Sequence, residues 1–193
     1  MESIDIKVAK THHPLMDEIK NRWSARAFDG HNIDQTTLDT LLEAASWAAS
    51  ANNEQPWIYY YAHRNSEGFT SLWNCLMEGN RPWTLQASVL LVACVRKTFE
   101  KTGKNNGTAE HDLGMANAQM LLQANHMNIY GHLMAGFERH KVIELLKLDI
   151  NLHPVCMITL GHITEANTLD EPYKSRELTP RHRKELNEFS FVV

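Results

Sequence analysis

Ser50-Ala51-Asn52-Asn53-Glu54-Gln55-Pro56-Trp57 joins two segments of different periodicity. Before it, Leu38, Leu41, Leu42, Ala45 and Ala48–Ala49 recur at helical spacing behind Asp34, a residue suited to an N-cap. After it, Trp57-Ile58-Tyr59-Tyr60-Tyr61 opens a strand predicted to run to Arg64. Pro56 lacks a backbone donor and biases Gln55 toward an extended conformation. Ser50 and Asn52 to Gln55 therefore crowd polar groups onto a helix-to-strand junction. Amide side chains at the rim of a sheet can pair with the edge of a flat heterocycle. By itself the stretch reads equally well as an ordinary polar loop.

Working outward, residues 1–13 are polar and expected to be extended or mobile. Pro14 suits a first helical turn, and Leu15, Met16 and Ile19 form one apolar face, so a short helix is predicted over 14–21. Arg22-Trp23-Ser24-Ala25-Arg26 then places two guanidiniums and a hydroxyl within five residues. On the far side of the junction, Ser66 caps a helix carrying Phe69, Leu72, Trp73 and Leu76, which ends near Gly79. Asn80-Arg81-Pro82-Trp83 reads as a turn into the apolar strand Val89–Val95. Lys97 to Gly107 reads as an exposed, mobile loop, its Asn106-Gly107-Thr108 sequon a surface turn. A long helix follows over about 111–127, with Asn128 placed to end it in the left-handed region. Then come Leu133-Met134-Ala135-Gly136-Phe137, a helix over 138–148, and the buried strand Val155–Gly161. From Thr164 onward apolar content falls and no period is evident.

Composition bounds the function. With 193 residues, 43% hydrophobic and 22% charged, one globular domain with a sizeable core is expected. A net charge of −4 offers no general attraction to nucleic acid or an anionic membrane. The N-terminus has no apolar leader-like run, and no segment reaches the length of a membrane span. Cys75, Cys94 and Cys156 lack metal-ligand spacing, and the last two lie in apolar strands as small hydrophobes. A reducing cytoplasmic setting is expected. The eleven histidines form no helical His-Glu-x-x-His pair, and neither a phosphate loop nor a Gly-x-Ser-x-Gly elbow occurs.

Ser50-x-x-Asn53-x-Gln55-Pro56-Trp57 resembles a signature of the nitroreductase family of FMN-dependent NAD(P)H oxidoreductases. Arg22-Trp23-Ser24-Ala25-Arg26-Ala27-Phe28-Asp29 resembles the family's other N-terminal signature, with one capped helix between the two. The similarity continues through Asp112–Gly136, the Val155–Gly161 strand and Arg181-His182-Arg183. It implies an α+β fold over residues 1–193 with a mixed central β-sheet flanked by helices. It further implies an intertwined homodimer in which residues 164–193 are exchanged onto the partner, Phe189, Phe191 and Val192 adding a strand there. Asp112–Gly136 would include the helix that packs against its twin.

The same resemblance implies a tightly bound, non-covalent FMN. Arg22, Ser24, Arg181 and Arg183 would hold its phosphate, while Trp23 belongs to the same signature and Arg26 meets the pyrimidine edge. The backbone of Leu133, Met134, Ala135 and Gly136 would lie against the ring, with Asn80 in a softer contact. Ser50, Asn53 and Gln55 complete the cofactor set. Ala135 stands where relatives often carry Gly or Glu. NAD(P)H would deliver hydride to the flavin and leave, and a nitroaromatic, quinone or similar small-molecule electron acceptor would take its space in ping-pong turnover. No indispensable catalytic acid is implied. The alternatives are a non-enzymatic flavin-binding sensor or carrier, or a specialised member that dehalogenates, forms azoles or fragments flavin. For those branches the 97–107 loop offers no recognisable lid.

Overall fold

The computed structural model describes residues 1–193. In chain order its helices and strands are α1 (Glu2–Lys7), α2 (Asp17–Asn21), α3 (Gln35–Ser46), β1 (Trp57–His63), α4 (Glu67–Trp73) and α5 (Arg81–Thr84). Next come β2 (Val89–Arg96), α6 (Ala109–His126), β3 (Tyr130–Met134), α7 (Arg139–Leu146), β4 (Leu152–Gly161) and α8 (Tyr173–Glu177). Both predicted caps form: Asp34 accepts from the Thr37 N–H and Ser66 from the Phe69 N–H. Each such cap stabilises its helix by about 1 kcal/mol. Asn128 takes the left-handed conformation, with φ 56°.

The sheet has the order β1-β2-β4-β3. Every neighbouring pair is antiparallel, which corrects the expectation of a mixed sheet within this chain. The reason lies in one insertion. β2 and β3 run in the same direction, linked by a crossover through α6, but β4 enters between them. No parallel pair is therefore left in hydrogen-bonding contact.

Side chains of β2 alternate between two buried faces. Val89, Leu91, Ala93 and Val95 meet Leu38, Leu41 and Ala45 of α3 and Leu113, Ala116 and Met120 of α6. Leu90, Val92 and Cys94 point the other way, toward Phe28, Phe69, Leu72, Leu76, Trp83 and Phe137. A register shift between Ala93 and Cys94 leaves Val155 of β4 as a bulge beside Pro154, a residue unable to donate to the ladder. Gly131 of β3 allows close packing: a Cβ there would sit 2.2 Å from Leu121 Cδ2 of α6, which would have to move. The Cys94 and Cys156 thiols are buried, and burial pushes them up to about 12 and about 11.

Several expectations change. Residues 2–7 are helical rather than extended, and they bury Ser3 and Lys7. α2 starts at Asp17, after Met16, so Pro14 lies outside it. Asn80–Trp83 leads into the short helix α5 instead of a plain turn. Asn106 is buried, its Oδ1 accepting from both the backbone N–H and the hydroxyl of Thr108. The C-terminal region also departs from the exchanged tail. Thr164 N–H donates to Ala27 O, and α8 buries Glu177 against the same chain. Beyond Arg183 the chain is exposed throughout, Phe189, Phe191 and Val192 included. No helix is long and apolar enough to cross a membrane.

Candidate functional site

The segment from Arg22 to Ala27 is extended, and its alternation sorts the side chains. Trp23, Ala25 and Ala27 are buried, whereas Ser24 is exposed and Arg22 and Arg26 are half-buried. Trp23 packs on Tyr130 of β3 with ring centroids 4.4 Å apart. Ala25 O accepts a hydrogen bond from His132 Nδ1 at 3.0 Å. The inward residues thus fasten the segment to β3, leaving the polar ones available.

Arg181 reaches this segment from the far end of the chain. Its guanidinium donates to Arg22 O and Lys20 O, while its buried Nε has no partner. Burial and the neighbouring guanidiniums lower the pKa of Arg22 and Arg181, Arg183 contributing to both. None of the three side chains has a carboxylate within ion-pair distance. Guanidiniums gathered without a carboxylate have the chemistry to pair with an oxyanion. Ser24 adds an exposed hydroxyl beside them.

Arg26 lies over the Trp83 ring at 5.7 Å, and Trp83 packs on His132 at 4.5 Å. Burial, then the charge of Arg26, pushes His132 down to about 4, so the imidazole is neutral near pH 7. Glu177 Oε1 accepts from Trp23 Nε1–H at 3.1 Å, and Oε2 from the Arg26 N–H at 3.2 Å. Burial raises the pKa of Glu177, opposed by its bond from Trp23 and by the charges of Lys7 and Arg26.

Beyond β3 the chain turns through Ala135 and Gly136. Asn80 Nδ2 donates to Gly136 O at 3.0 Å, as does the Met77 N–H. A Cβ on Gly136 would lie 2.7 Å from Asn80 Nδ2, so the contact requires glycine. Asn80 therefore braces this turn through one N–H of its amide, leaving its Oδ1 and the second N–H to a ligand. Met134 points into the core and Leu133 packs on the opposite face of the sheet, so both offer only backbone. A groove of about 570 Å³ opens alongside, lined by Leu76, Met77, Glu78, Gly79, Arg81, Glu138 and Lys141. Most of its charges are already engaged: Lys141 pairs with Glu138, and Arg81 donates to Leu76 O and Asn74 O.

The Ser50–Trp57 stretch folds as a tight turn with positive φ at Asn52, Asn53 and Gln55. The extended conformation expected of Gln55 is overturned: its N–H turns back to Ser50 Oγ and its Nε2 to Asn53 O. Gln55 thus braces the turn. Asp112 of α6 secures it from behind, accepting from the Ala51 N–H at 3.1 Å. The turn enters β1, one edge of the sheet, whereas the arginine cluster and Gly136 adjoin β3, the other edge. Three strand spacings, about 14 Å, separate those edges. Ser50, Asn53 and Gln55 are therefore not brought together with Arg22, Ser24, Arg26, Arg181 and Arg183 in one chain.

The chain is thus an α+β protein in which Arg22, Arg181 and Arg183 and the Ala135–Gly136 turn adjoin one edge of a four-stranded sheet. Residues 19–81 and 75–162 match the Nitroreductase family. The chain belongs to that family. It shares 32% identity with an oxidoreductase described as containing FMN, at a TM-score of 0.89 over 94% of this chain and 93% of the other. It is 24% identical over 158 residues to a Streptomyces coelicolor protein provisionally named an NADH dehydrogenase/NAD(P)H nitroreductase, covering 72% of this chain and 78% of the relative. A nitroreductase family protein from Streptococcus pneumoniae TIGR4 has the same fold at 18% identity, with a TM-score of 0.75 over 91% of this chain and 98% of that one.

Proposed function

We propose that this chain is an FMN-dependent oxidoreductase that passes electrons from NAD(P)H to nitroaromatics, quinones or similar electron-poor acceptors. The observation that carries the reading is the cluster of Arg22, Arg181 and Arg183, three guanidiniums with no carboxylate partner and a buried, unpaired Arg181 Nε. A phosphate monoester supplies the charge and the acceptors that this cluster lacks. Ser24 would add a hydroxyl, Arg26 would meet the polar edge of the ring, and Ala135 and Gly136 would offer backbone at its side. FMN, when bound, supplies reversible two-electron redox chemistry.

The chain's own residues then bind, orient and stabilise charge. Arg26 is held in place by Trp83 below it and presents a fixed positive charge to whatever anion develops at the ring edge. His132 is neutral and already donates to Ala25 O, so it has no proton to give. Catalysis in this reading needs no protein acid. The opposite-edge placement of Asn53 supports a homodimer in which each site takes its turn from the partner. The exposed residues after Arg181 support an added strand on that partner, which is where a mixed sheet would arise.

Absorbance of the purified protein tests the cofactor, and steady NAD(P)H consumption with a quinone tests turnover. Flavin binding without turnover would favour a sensor or carrier; failure to take up FMN would overturn the reading. Arg22→Ala should weaken FMN binding by roughly ten- to a hundredfold, the loss of one charge-assisted contact of about 1.5–3 kcal/mol.

A further inference from the structure

Lys7 and Glu177, which the proposed chemistry does not use, form a polar knot with Arg181 of the cationic cluster. Glu177 is 1% exposed and Lys7 is 7% exposed. Lys7 Nζ donates to Arg176 O at 2.8 Å and to Thr179 O at 2.7 Å, so α1 holds the carbonyls at the end of α8. Glu177 grips Trp23 and Arg26, and Arg181 grips Lys20 and Arg22. The C-terminal region therefore touches the Lys20–Arg26 segment at four points, all within one chain.

We propose that Glu177 is a positioning residue for the cofactor segment: its buried carboxylate fixes the Trp23 ring and the Arg26 backbone, and so sets where Arg22, Ser24 and Arg26 meet the ligand. This rests on the FMN reading above. The chemistry requires a carboxylate at this position. Two donors, an indole N–H and a backbone N–H, converge on its two oxygens, and both bonds are made only if both oxygens accept. An amide of the same shape offers one acceptor and turns an NH2 against the other donor. The cost is a lost bond plus an opposed pair of donors in a buried site.

The test uses the full chain with Glu177→Gln. Trypsin cleaves after Arg22 and Arg26, so the cleavage rate of the apoprotein there reads the order of the segment without any cofactor. FMN affinity, from quenching of flavin fluorescence, reads the consequence. Glu177→Gln should speed cleavage at both sites and weaken FMN binding about tenfold or more. Adding Trp23→Phe removes the opposed donor, lets the amide oxygen accept from Arg26, and should restore part of the affinity lost in Glu177→Gln. Parental cleavage and parental affinity in Glu177→Gln would overturn the proposal. So would faster cleavage with unchanged affinity, or a double variant no better than Glu177→Gln. If Glu177→Gln does not fold, Lys7→Met loosens the same knot from its other end and is held to the same two readings. If the parent itself takes up no FMN, the cofactor reading fails, and the cleavage comparison alone decides whether Glu177 orders the segment.

Discussion

His132 shows how a single side chain couples the site to solution conditions. It is 8% exposed, lies between Trp83 and the Ala25 carbonyl, and is held down to about 4 first by burial and then by Arg26. In the unfolded chain the same imidazole takes its proton near pH 6.5. The unfolded state therefore binds a proton that the folded state refuses, and stability is fully present above about 6.5 and lost as pH falls toward about 4. The loss attributable to this one group is at most about 3 kcal/mol. His132→Gln should cost stability at pH 7 yet fall less steeply on acidification, read as melting temperature against pH. Parallel curves for parent and variant would remove His132 as the cause. At this scale the sequence was partly legible. Arg22, Ser24 and Arg26 alternate with Trp23, Ala25 and Ala27, so an extended segment with one polar side follows directly. Glu177 had no such signal, because its partners lie 151 and 154 residues away and its own stretch has no period.

At the scale of elements, strands followed from apolar and aromatic runs, and capped helices from helical spacing behind Asp34 and Ser66. Their directions did not. Whether a sheet contains a parallel pair depends on which strand inserts next to which, and nothing local to β2 or β3 announces that β4 comes between them. The Gln55 backbone was missed for a related reason: the bias from Pro56 is weaker than the two hydrogen bonds that fold the turn back on itself. Gly131 is where α6 meets β3 most closely. Gly131→Ala must displace Leu121, and Leu160 and Thr159 O also stand within 3.4 Å of the new methyl. A cost of about 1–3 kcal/mol is expected for this overpacking. A lowered urea midpoint with an unchanged slope would show it, and an unchanged midpoint would mean that Leu121 yields freely.

At the scale of the molecule, the proposed homodimer would cover the exposed end of the chain and the exposed turn. Phe189 and Phe191 are 60% and 75% exposed, an unusual placement for aromatic rings in a chain that buries Trp23 and Trp83. Ending the chain at Arg183 keeps the polar knot and removes these rings. Sedimentation should then show weaker self-association with the far-UV spectrum intact. Self-association as tight as the parent's would place the contact elsewhere.

The separation of the Asn53 turn from the arginine cluster has a genetic consequence. In a two-fold assembly, Arg22→Ala damages the half-site its own chain supplies, and Asn53→Ala damages the half-site lent to the neighbour. A hybrid of the two variants concentrates both lesions in one site and leaves the other intact. At an FMN concentration too low to fill either variant's own sites, random reassortment of the two preparations should therefore return about a quarter of the parental activity, since half the pairs are hybrid and each carries one whole site. Two defective alleles would complement each other in one cell. Were each site built within a single chain, the mixture would stay as inactive as its components.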